Sequence, residues 1–262
     1  MRPLASFGDD PHLPIAGLLF DLDDTLLSHG VLTREAYASL WDLHDAGLRL
    51  VAVTGRPSGW GELVVRQWPI DGAVTENGAV VVTREGKGVA LVERCTAEER
   101  HARRIRLGRL VEQVRTVVPE ARLSDDVAAR RSDVTWDIGE RVRLPEDRVD
   151  LIAREILAVG ARTTRSSVHL HATFDEDDKA SGAVAFVGRA FGVDAGAALA
   201  SFAFIGDSGN DAACFSAFRT TFGVANVKEH IGRLSVPPRF IAPSPMGAGF
   251  AEVARALLRV RA

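Results

Sequence analysis

Residues 15–27, IAGLLFDLDDTLL, constrain this 262-residue chain more than any other stretch. An apolar run ends at Phe20 and is followed at once by Asp21, Asp23 and Asp24, three carboxylates in four positions, and then by Thr25. A continuous apolar run predicts a strand buried on both faces, as in a parallel sheet. The carboxylates then fall where the strand ends and the chain turns, which is where open α/β sheets bind their ligands. Clustered carboxylates repel one another, and a bound divalent cation is the usual compensation. The plainer reading, which D-x-D alone leaves open, is an acidic, solvated turn.

The chain beyond repeats the theme. Thr33 caps a predicted helix that runs to about Asp45 and stops at Gly47. Residues 48–53 form a second buried strand, ending in Thr54-Gly55-Arg56-Pro57. Strand, helix and strand with short links make a right-handed parallel unit, which puts Thr54 at the same sheet edge as Asp21. Gly55 there lets the backbone come close and the Thr54 hydroxyl can donate to a phosphate oxygen, although such a pair alone also reads as a simple turn. After a helix over 58–67, Asn77-Gly78 between apolar runs predicts a two-residue hairpin turn.

From Thr96 the texture changes. Thr96 and Glu99 have capping-box spacing and open an arginine-rich helix to Val118. A strand over 127–138, a helix opened by Pro145 and closed near Gly160, and a strand over 162–174 follow. This pattern predicts a separate α+β lobe, inserted at 85–178 between core segments 15–84 and 179–262, with 1–14 as a loose tail. Asp178 then caps a helix with Lys179 in its first turn, where a cation opposes the helix dipole and is better explained by a negative partner. Residues 201–205 form another buried strand, ending in Gly206-Asp207-Ser208-Gly209-Asn210-Asp211. Two short strands and an amphipathic helix over 249–260 complete an α/β pattern.

Composition narrows the partners. A formal net charge of −3 makes no electrostatic case for nucleic acid. No apolar run approaches a membrane span, and the first residues contain no apolar signal region. Two cysteines, Cys95 and Cys214, are too few and too far apart for a disulfide framework or a zinc site. These readings predict a cytoplasmic protein with a small-molecule ligand; nothing in the sequence sets its oligomeric state.

Taken together and in this order, D-x-D-x-T at 21–25, T-G-R at 54–56, Lys179 and G-D-x-x-x-D at 206–211 resemble the haloacid dehalogenase superfamily, whose members are mostly magnesium-dependent phosphatases. The resemblance spans nearly the whole chain. It implies a Rossmann-like parallel core, with the insertion as a type II cap of the B subclass closing over the carboxyl edge of the sheet. Thr75-Glu76-Asn77-Gly78-Ala79 is similar to the segment before this cap in sugar-phosphatase-like members, and the cap type with Gly206-Asp207-Ser208-Gly209-Asn210-Asp211 resembles sucrose-phosphate and mannosyl-phosphoglycerate phosphatases, within a Cof-like group.

A phosphate monoester dianion resists an anionic nucleophile, so a carboxylate can attack it only where surrounding charge is neutralised. The resemblance implies that Asp21 is this nucleophile, giving an aspartyl-phosphate, and that Asp23 is the general acid and base. It implies Mg²⁺ held by Asp21, Asp207 and Asp211, with Asp23 contributing its backbone carbonyl. Thr54, Gly55, Asn210 and Lys179 would hold the phosphoryl oxygens. Asp24 fills a slot that is often glycine and takes no catalytic role, and Thr25 supports the turn. Arg56 stays open between a substrate or cap contact and a surface ion pair.

In the inserted lobe, Arg130, Arg131, Asp133, Asp137, His169 and His171 lie on the strands. His169 and His171 alternate with Val168 and Leu170 and so share a polar face, which either binds substrate hydroxyls or a second anion or is simply solvated. The function implied is hydrolysis of a small phosphomonoester, a sugar phosphate. The alternatives are a phosphomutase of the phosphomannomutase type, whose last acidic motif has a longer spacing than Asp207 to Asp211, and a non-catalytic sensor of a phosphorylated ligand.

Overall fold

A computed structural model describes residues 1–9, 14–166 and 168–261. In chain order the strands are β1 (Arg2–Pro3), β2 (Gly17–Phe20), β3 (Leu27–Ser28), β4 (Val31–Leu32), β5 (Arg49–Val53), β6 (Gly72–Thr75), β7 (Val80–Glu85), β8 (Gly88–Glu93), β9 (Arg122–Leu123), β10 (Asp133–Asp137), β11 (Arg162–Arg165), β12 (His169–Thr173), β13 (Phe202–Gly206), β14 (Thr220–Gly223) and β15 (Phe240–Ile241). The helices are α1 (Arg34–Asp45), α2 (Ser58–Gln67), α3 (Ala97–Val117), α4 (Glu146–Ala158), α5 (Lys179–Phe191), α6 (Ala195–Ser201), α7 (Ala212–Ala217), α8 (Val227–His230) and α9 (Met246–Arg261). Among the described residues no single helix is long and apolar enough to cross a membrane.

The larger sheet has the order β1-β15-β14-β13-β2-β5-β6-β7-β8. Pairing is parallel from β1 across to β6 and antiparallel through β7 and β8. Strand β2 is central because neither of its faces needs water. Leu18 and Phe20 pack with Leu40 and Leu43 of α1 and Phe250 and Val253 of α9. Leu19, pointing the other way, packs with Val51, Phe186 and Val187 of α5 and Phe215 of α7. From β2 the chain runs outward through β5 to β8, then returns with β13 on the other side of β2. That reversal opens a crevice at the carboxyl ends of β2 and β13, the topological switch point of the sheet.

A smaller antiparallel sheet, in the order β11-β12-β10-β9, forms the inserted lobe. One face carries Val134, Trp136, Leu170 and Ala172, covered by Leu107, Leu110 and Val114 of α3 and by Val149, Ile152 and Ile156 of α4. Helix α3 opens with the expected capping box, in which Thr96 Oγ1 accepts from the Glu99 N–H and the Glu99 carboxylate from the Thr96 N–H. Alternation puts Asp133, Thr135, Asp137, His169 and His171 on the opposite face, and all five are buried. Gly55 of the core packs against His171 on that face.

Several sequence expectations change. Residues 1–9 are not a loose tail: β1 pairs with β15, and Leu4 and Phe7 are buried, with the Phe7 ring 5.0 Å from that of Phe222 and 5.3 Å from that of Phe240. Two apolar side chains three apart on a helical turn suffice to dock the segment; residues 10–13 of the expected tail lie outside the described residues. The boundary at 84/85 falls inside a hairpin, because β7 and β8 both belong to the larger sheet, which ends only at Glu93. The Asn77-Gly78 turn is longer than two residues: Thr75 pairs with Val80 and residues 76–79 connect them. The strand expected over 127–138 is reduced to β10, with a helical turn over Val127–Ala129. The long strand expected over 162–174 is a hairpin, β11 and β12, because the Ser166 hydroxyl accepts the His169 N–H and turns the chain.

Candidate active site

Asp21 and Asp207 follow directly on β2 and β13, so two adjacent parallel strands deliver them side by side. After Asp21 the chain makes one loose turn, Leu22–Leu26, with Asp24 at φ +52°. Glycine meets no penalty in that conformation and aspartate tolerates it, which accounts for the exchange at this slot. Lys179 comes from the other side. Asp178 caps α5 by accepting the Ser181 N–H, and Gly78 packs against that start. A Cβ at Gly78 would lie 2.1 Å from the Asp178 carbonyl oxygen, so only glycine lets the 76–79 loop and the helix come this close.

Fully buried Lys179 places its ammonium 2.8 Å from Asp21 Oδ1 and 2.7 Å from Asp211 Oδ1. The other oxygen of Asp211 accepts the N–H groups of Asp207 (2.9 Å) and Ser208 (3.0 Å). Gly206 makes that fold-back possible, since a Cβ there would fall 2.4 Å from Asp211 Oδ2.

One carboxylate oxygen each from Asp21, Asp207 and Asp211 lies within 4.8 Å of the others, and all three residues are buried. Burial pushes the Asp21 carboxyl up to about 8 against the pull of Lys179, with Asp211 and Asp23 adding to the rise. Burial, then Asp211 and Asp21, hold Asp207 well above the carboxylate range. Lys179 moves up too, because Asp21 and Asp211 outweigh the burial that opposes its charge. The three shifts share one setting: three buried carboxylates surround a single ammonium, so the lysine stays charged and the surplus negative charge, with burial, favours protons on the carboxyls. A divalent cation would supply the missing charge, and the all-oxygen donor set could hold one.

Around this cluster sit the other expected residues. Thr25 Oγ1 lies 3.4 Å from Asp207 Oδ1, so the threonine reaches across to the neighbouring strand. The Thr54 hydroxyl accepts the Arg56 N–H at 3.0 Å and keeps its own proton to donate. Asn210 is joined to Ser208 and, at 3.2 Å, to Asn77. The Asp23 carboxylate stands outside the triad and is gripped by Arg56, whose Nε lies 2.9 Å from Oδ2 and Nη2 2.7 Å from Oδ1. Arg56 also reaches Glu140 of the inserted lobe at 3.3 Å, so it contacts the lobe and is no surface ion pair.

The lobe residues divide. The guanidinium of Arg130 is buried and saturated, by Asp126, Asp133 and the Gly55 carbonyl (2.8 Å), so it seals the seam between lobe and core. Arg131 turns outward to Glu93 and does not enter the cleft. Asp137 accepts four N–H groups of the 139–142 loop and is spent there. His169 and His171 do reach the cleft, which is lined by Asp21, Asp23, Gly55, Ser166, Ser208 and Asn210 as well. His169 Nε2 pairs with Glu140 at 2.9 Å, and His171 Nδ1 with Asp133 at 2.8 Å.

Three participants were missed in the sequence. Asn226 donates to Asp207 Oδ2 at 2.9 Å and to the Asp24 carbonyl at 3.0 Å. It lies three residues past β14, beside the strand that Asp207 follows directly, and a polar residue shortly after a buried strand is a signal that could have found it. Glu76, buried at φ +51°, accepts the N–H groups of Ser58, Arg131 and Ser132 and the Ser132 hydroxyl, fastening lobe to core. Glu140 carried no local signal.

Comparison with known proteins bears on the fold. Residues 18–104 match a model of the haloacid dehalogenase-like hydrolase family. No curated protein matches the chain. Among solved structures, a protein of Thermoplasma acidophilum superposes with a TM-score of 0.74 at 17% identity, over 94% of this chain and 99% of that one. The sucrose-phosphatase of Synechocystis, solved with sucrose and phosphate, gives 0.62 at 14% identity over 94% and 98%. A subclass IIB sugar phosphatase gives 0.60 at 19% identity over 93% and 98%. The fold is that of the haloacid dehalogenase superfamily, as the motifs implied.

Proposed function

For a chain with the haloacid dehalogenase fold and that superfamily's motifs gathered at one sheet edge, we propose Mg²⁺-dependent hydrolysis of a small phosphomonoester, a sugar phosphate. The observation that carries this reading is the buried cluster in which Lys179 bridges Asp21 and Asp211 beside Asp207. Such a charge arrangement costs stability unless it serves a ligand. The sugar-phosphatase neighbours support the substrate class.

In this reading Asp21 attacks phosphorus while the ester P–O bond breaks, and Asp23 gives its proton to the leaving oxygen. Water, deprotonated by Asp23, then cleaves the aspartyl-phosphate. Lys179, Asn210, the Thr54 hydroxyl and the Gly55 N–H position the phosphoryl oxygens, which is most of what phosphoryl transfer asks of a protein. Asp21, Asp207, Asp211 and the Asp23 carbonyl would hold a divalent ion, whose positive charge would offset the negative charge of the phosphoryl oxygens. Arg56 aims the Asp23 carboxylate and, through Glu140, ties that aim to the closed lobe. The space between Asp21 and His171 is about 10 Å³, room for one water at most, so binding a sugar phosphate there requires the lobe to open.

The test is phosphate release from hexose phosphates, nucleotides and 4-nitrophenyl phosphate, with Mg²⁺ or EDTA, for the wild type and Asp21→Asn. Metal-dependent release that Asp21→Asn abolishes is the expected result. Release that survives in Asp21→Asn would overturn the assignment of the nucleophile, and no release from any substrate would overturn the phosphatase reading.

A further inference from the structure

His171 is 2% exposed, and its Nε2 is a buried polar side-chain atom without a hydrogen-bond partner among the described residues. Its position gives that atom meaning. Strand β12 directs the ring out of the lobe sheet into the cleft shared with Asp21, Asp23 and Asn210. A Cβ built on Gly55 would lie 3.3 Å from Nε2, so the bare nitrogen stands over the loop expected to hold the phosphoryl group. An orphaned buried nitrogen costs stability, and a ligand that satisfies it removes that cost.

Its chemical character follows from the other ring atom. Nδ1 lies 2.8 Å from Asp133 Oδ2. Arg130 and His171 hold the Asp133 carboxyl down to about 2 despite its burial, so it is ionised and accepts. Burial draws His171 down to about 4, which leaves the ring neutral at pH 7. A neutral imidazole donating from Nδ1 presents a lone pair at Nε2. Lys179 is held by Asp21 and Asp211, and the guanidinium groups nearest the cleft are also committed, Arg56 to Asp23 and Glu140, and Arg130 to Asp126 and Asp133.

We propose that His171 is a specificity-determining residue whose Nε2 accepts a hydrogen bond from a hydroxyl of the leaving group, so that the site selects neutral polyol phosphates over phosphates bearing a carboxylate or second phosphate. This rests on the phosphatase reading for its kinetics but makes a separate claim about binding. A hydroxyl satisfies the nitrogen, whereas an anion meets a lone pair and no free guanidinium.

Two measurements test it. In the first, kcat/KM is compared for glycerol 3-phosphate against 3-phosphoglycerate, and for hexose phosphates against 4-nitrophenyl phosphate, in the wild type, His171→Phe and His171→Gln. The wild type should favour glycerol 3-phosphate at least tenfold. His171→Phe should lower the hexose-to-aryl ratio at least tenfold, and His171→Gln, whose amide oxygen can accept, should recover part of it. An unchanged ratio in folded His171→Phe, or a wild-type preference for 3-phosphoglycerate, overturns the proposal. The second is nitrogen-15 NMR of the imidazoles in Asp21→Asn, which keeps the cleft whether or not the wild type hydrolyses anything. His171 should show a protonated Nδ1 and a bare Nε2 that shifts on saturation with a hexose phosphate. A protonated Nε2, or no shift with any hexose phosphate, overturns the proposal even if phosphatase activity is confirmed.

Discussion

Replacing Asp207 by asparagine should make the metal-free protein more stable while removing its response to Mg²⁺. Asp207 is buried, and its oxygens face Asn226 Nδ2 at 2.9 Å and Thr25 Oγ1 at 3.4 Å. An asparagine can keep both contacts, its oxygen accepting from Asn226 and its amide donating to the Thr25 hydroxyl. The exchange therefore removes charge and little else. The wild-type carboxyl is raised well above its usual range, first by burial and then by Asp211 and Asp21. A carboxyl raised in the folded state holds a proton that the unfolded chain has released, so metal-free stability falls as pH rises above the unfolded value near 4. The slope is about 1.4 kcal/mol per pH unit for each proton so held. At about 2–4 °C per kcal/mol for a chain of this size, Asp207→Asn should melt several degrees above wild type at pH 7–8 in EDTA. The two should converge toward pH 5. With Mg²⁺ at a hundredfold its dissociation constant the wild type should gain about 2.7 kcal/mol. The variant should gain almost nothing. Differential scanning calorimetry in EDTA and in Mg²⁺ reads both effects. A lower melting point in EDTA would refute the claim of surplus charge, and a retained Mg²⁺ shift would refute the assignment of Asp207 to the ion.

Glu76→Gln puts an amide NH₂ against the N–H groups of Arg131 and Ser132, so lobe closure should weaken by about 1–3 kcal/mol; amide exchange at Ser132 should rise about tenfold or more without global unfolding. Arg56→Ala frees Asp23 and Glu140 together, and kcat should fall at least tenfold while Mg²⁺ binding, followed by calorimetric titration, persists because the triad is untouched. His171 is drawn down to about 4 by burial, below the free imidazole near 6.5. The unfolded chain takes up this proton first, so stability is lost as pH falls from about 6.5 to 4, and His171→Gln should flatten that part of the stability–pH curve measured by urea denaturation.

The core was legible because its signals are local. Each buried strand is a short apolar run, and each delivers its polar residue at the following position: Asp21 after Phe20, Thr54 after Val53, Asp207 after Gly206. Parallel crossovers then bring those residues together with no further information. The lobe strands were harder because their lengths depend on where a pairing partner ends. Ser166 breaks a polar, strand-like run by a side-chain bond to the His169 N–H, and nothing in the periodicity of 162–174 announces that bond. The first nine residues were misread for a related reason: Leu4 and Phe7 look sparse in the sequence and become core only when Phe222 and Phe240 arrive from the other end of the chain.

The site shows the same division between residue type and commitment. Alternation alone put His169 and His171 on one polar face, and that face does meet the cleft. Four arginines and histidines in the lobe then looked equally able to bind an anion, yet their availability depends on counting the carboxylates folded around each. Arg130 is neutralised twice, by Asp126 and Asp133, and Arg131 faces away to Glu93. Arg56, from the core, is neutralised by Asp23 and Glu140. Only the first of these pairings is near enough in sequence to be read there, as Arg130 lies four residues from Asp126 and three from Asp133. Lys179 stands apart, because its two carboxylates belong to a cluster that still lacks positive charge. Arg130 and Arg131 are thus consumed in holding the lobe to the core, and discrimination among substrates passes to uncharged atoms. The lone pair of His171 is the one that the fold leaves facing the cleft unsatisfied among the described residues.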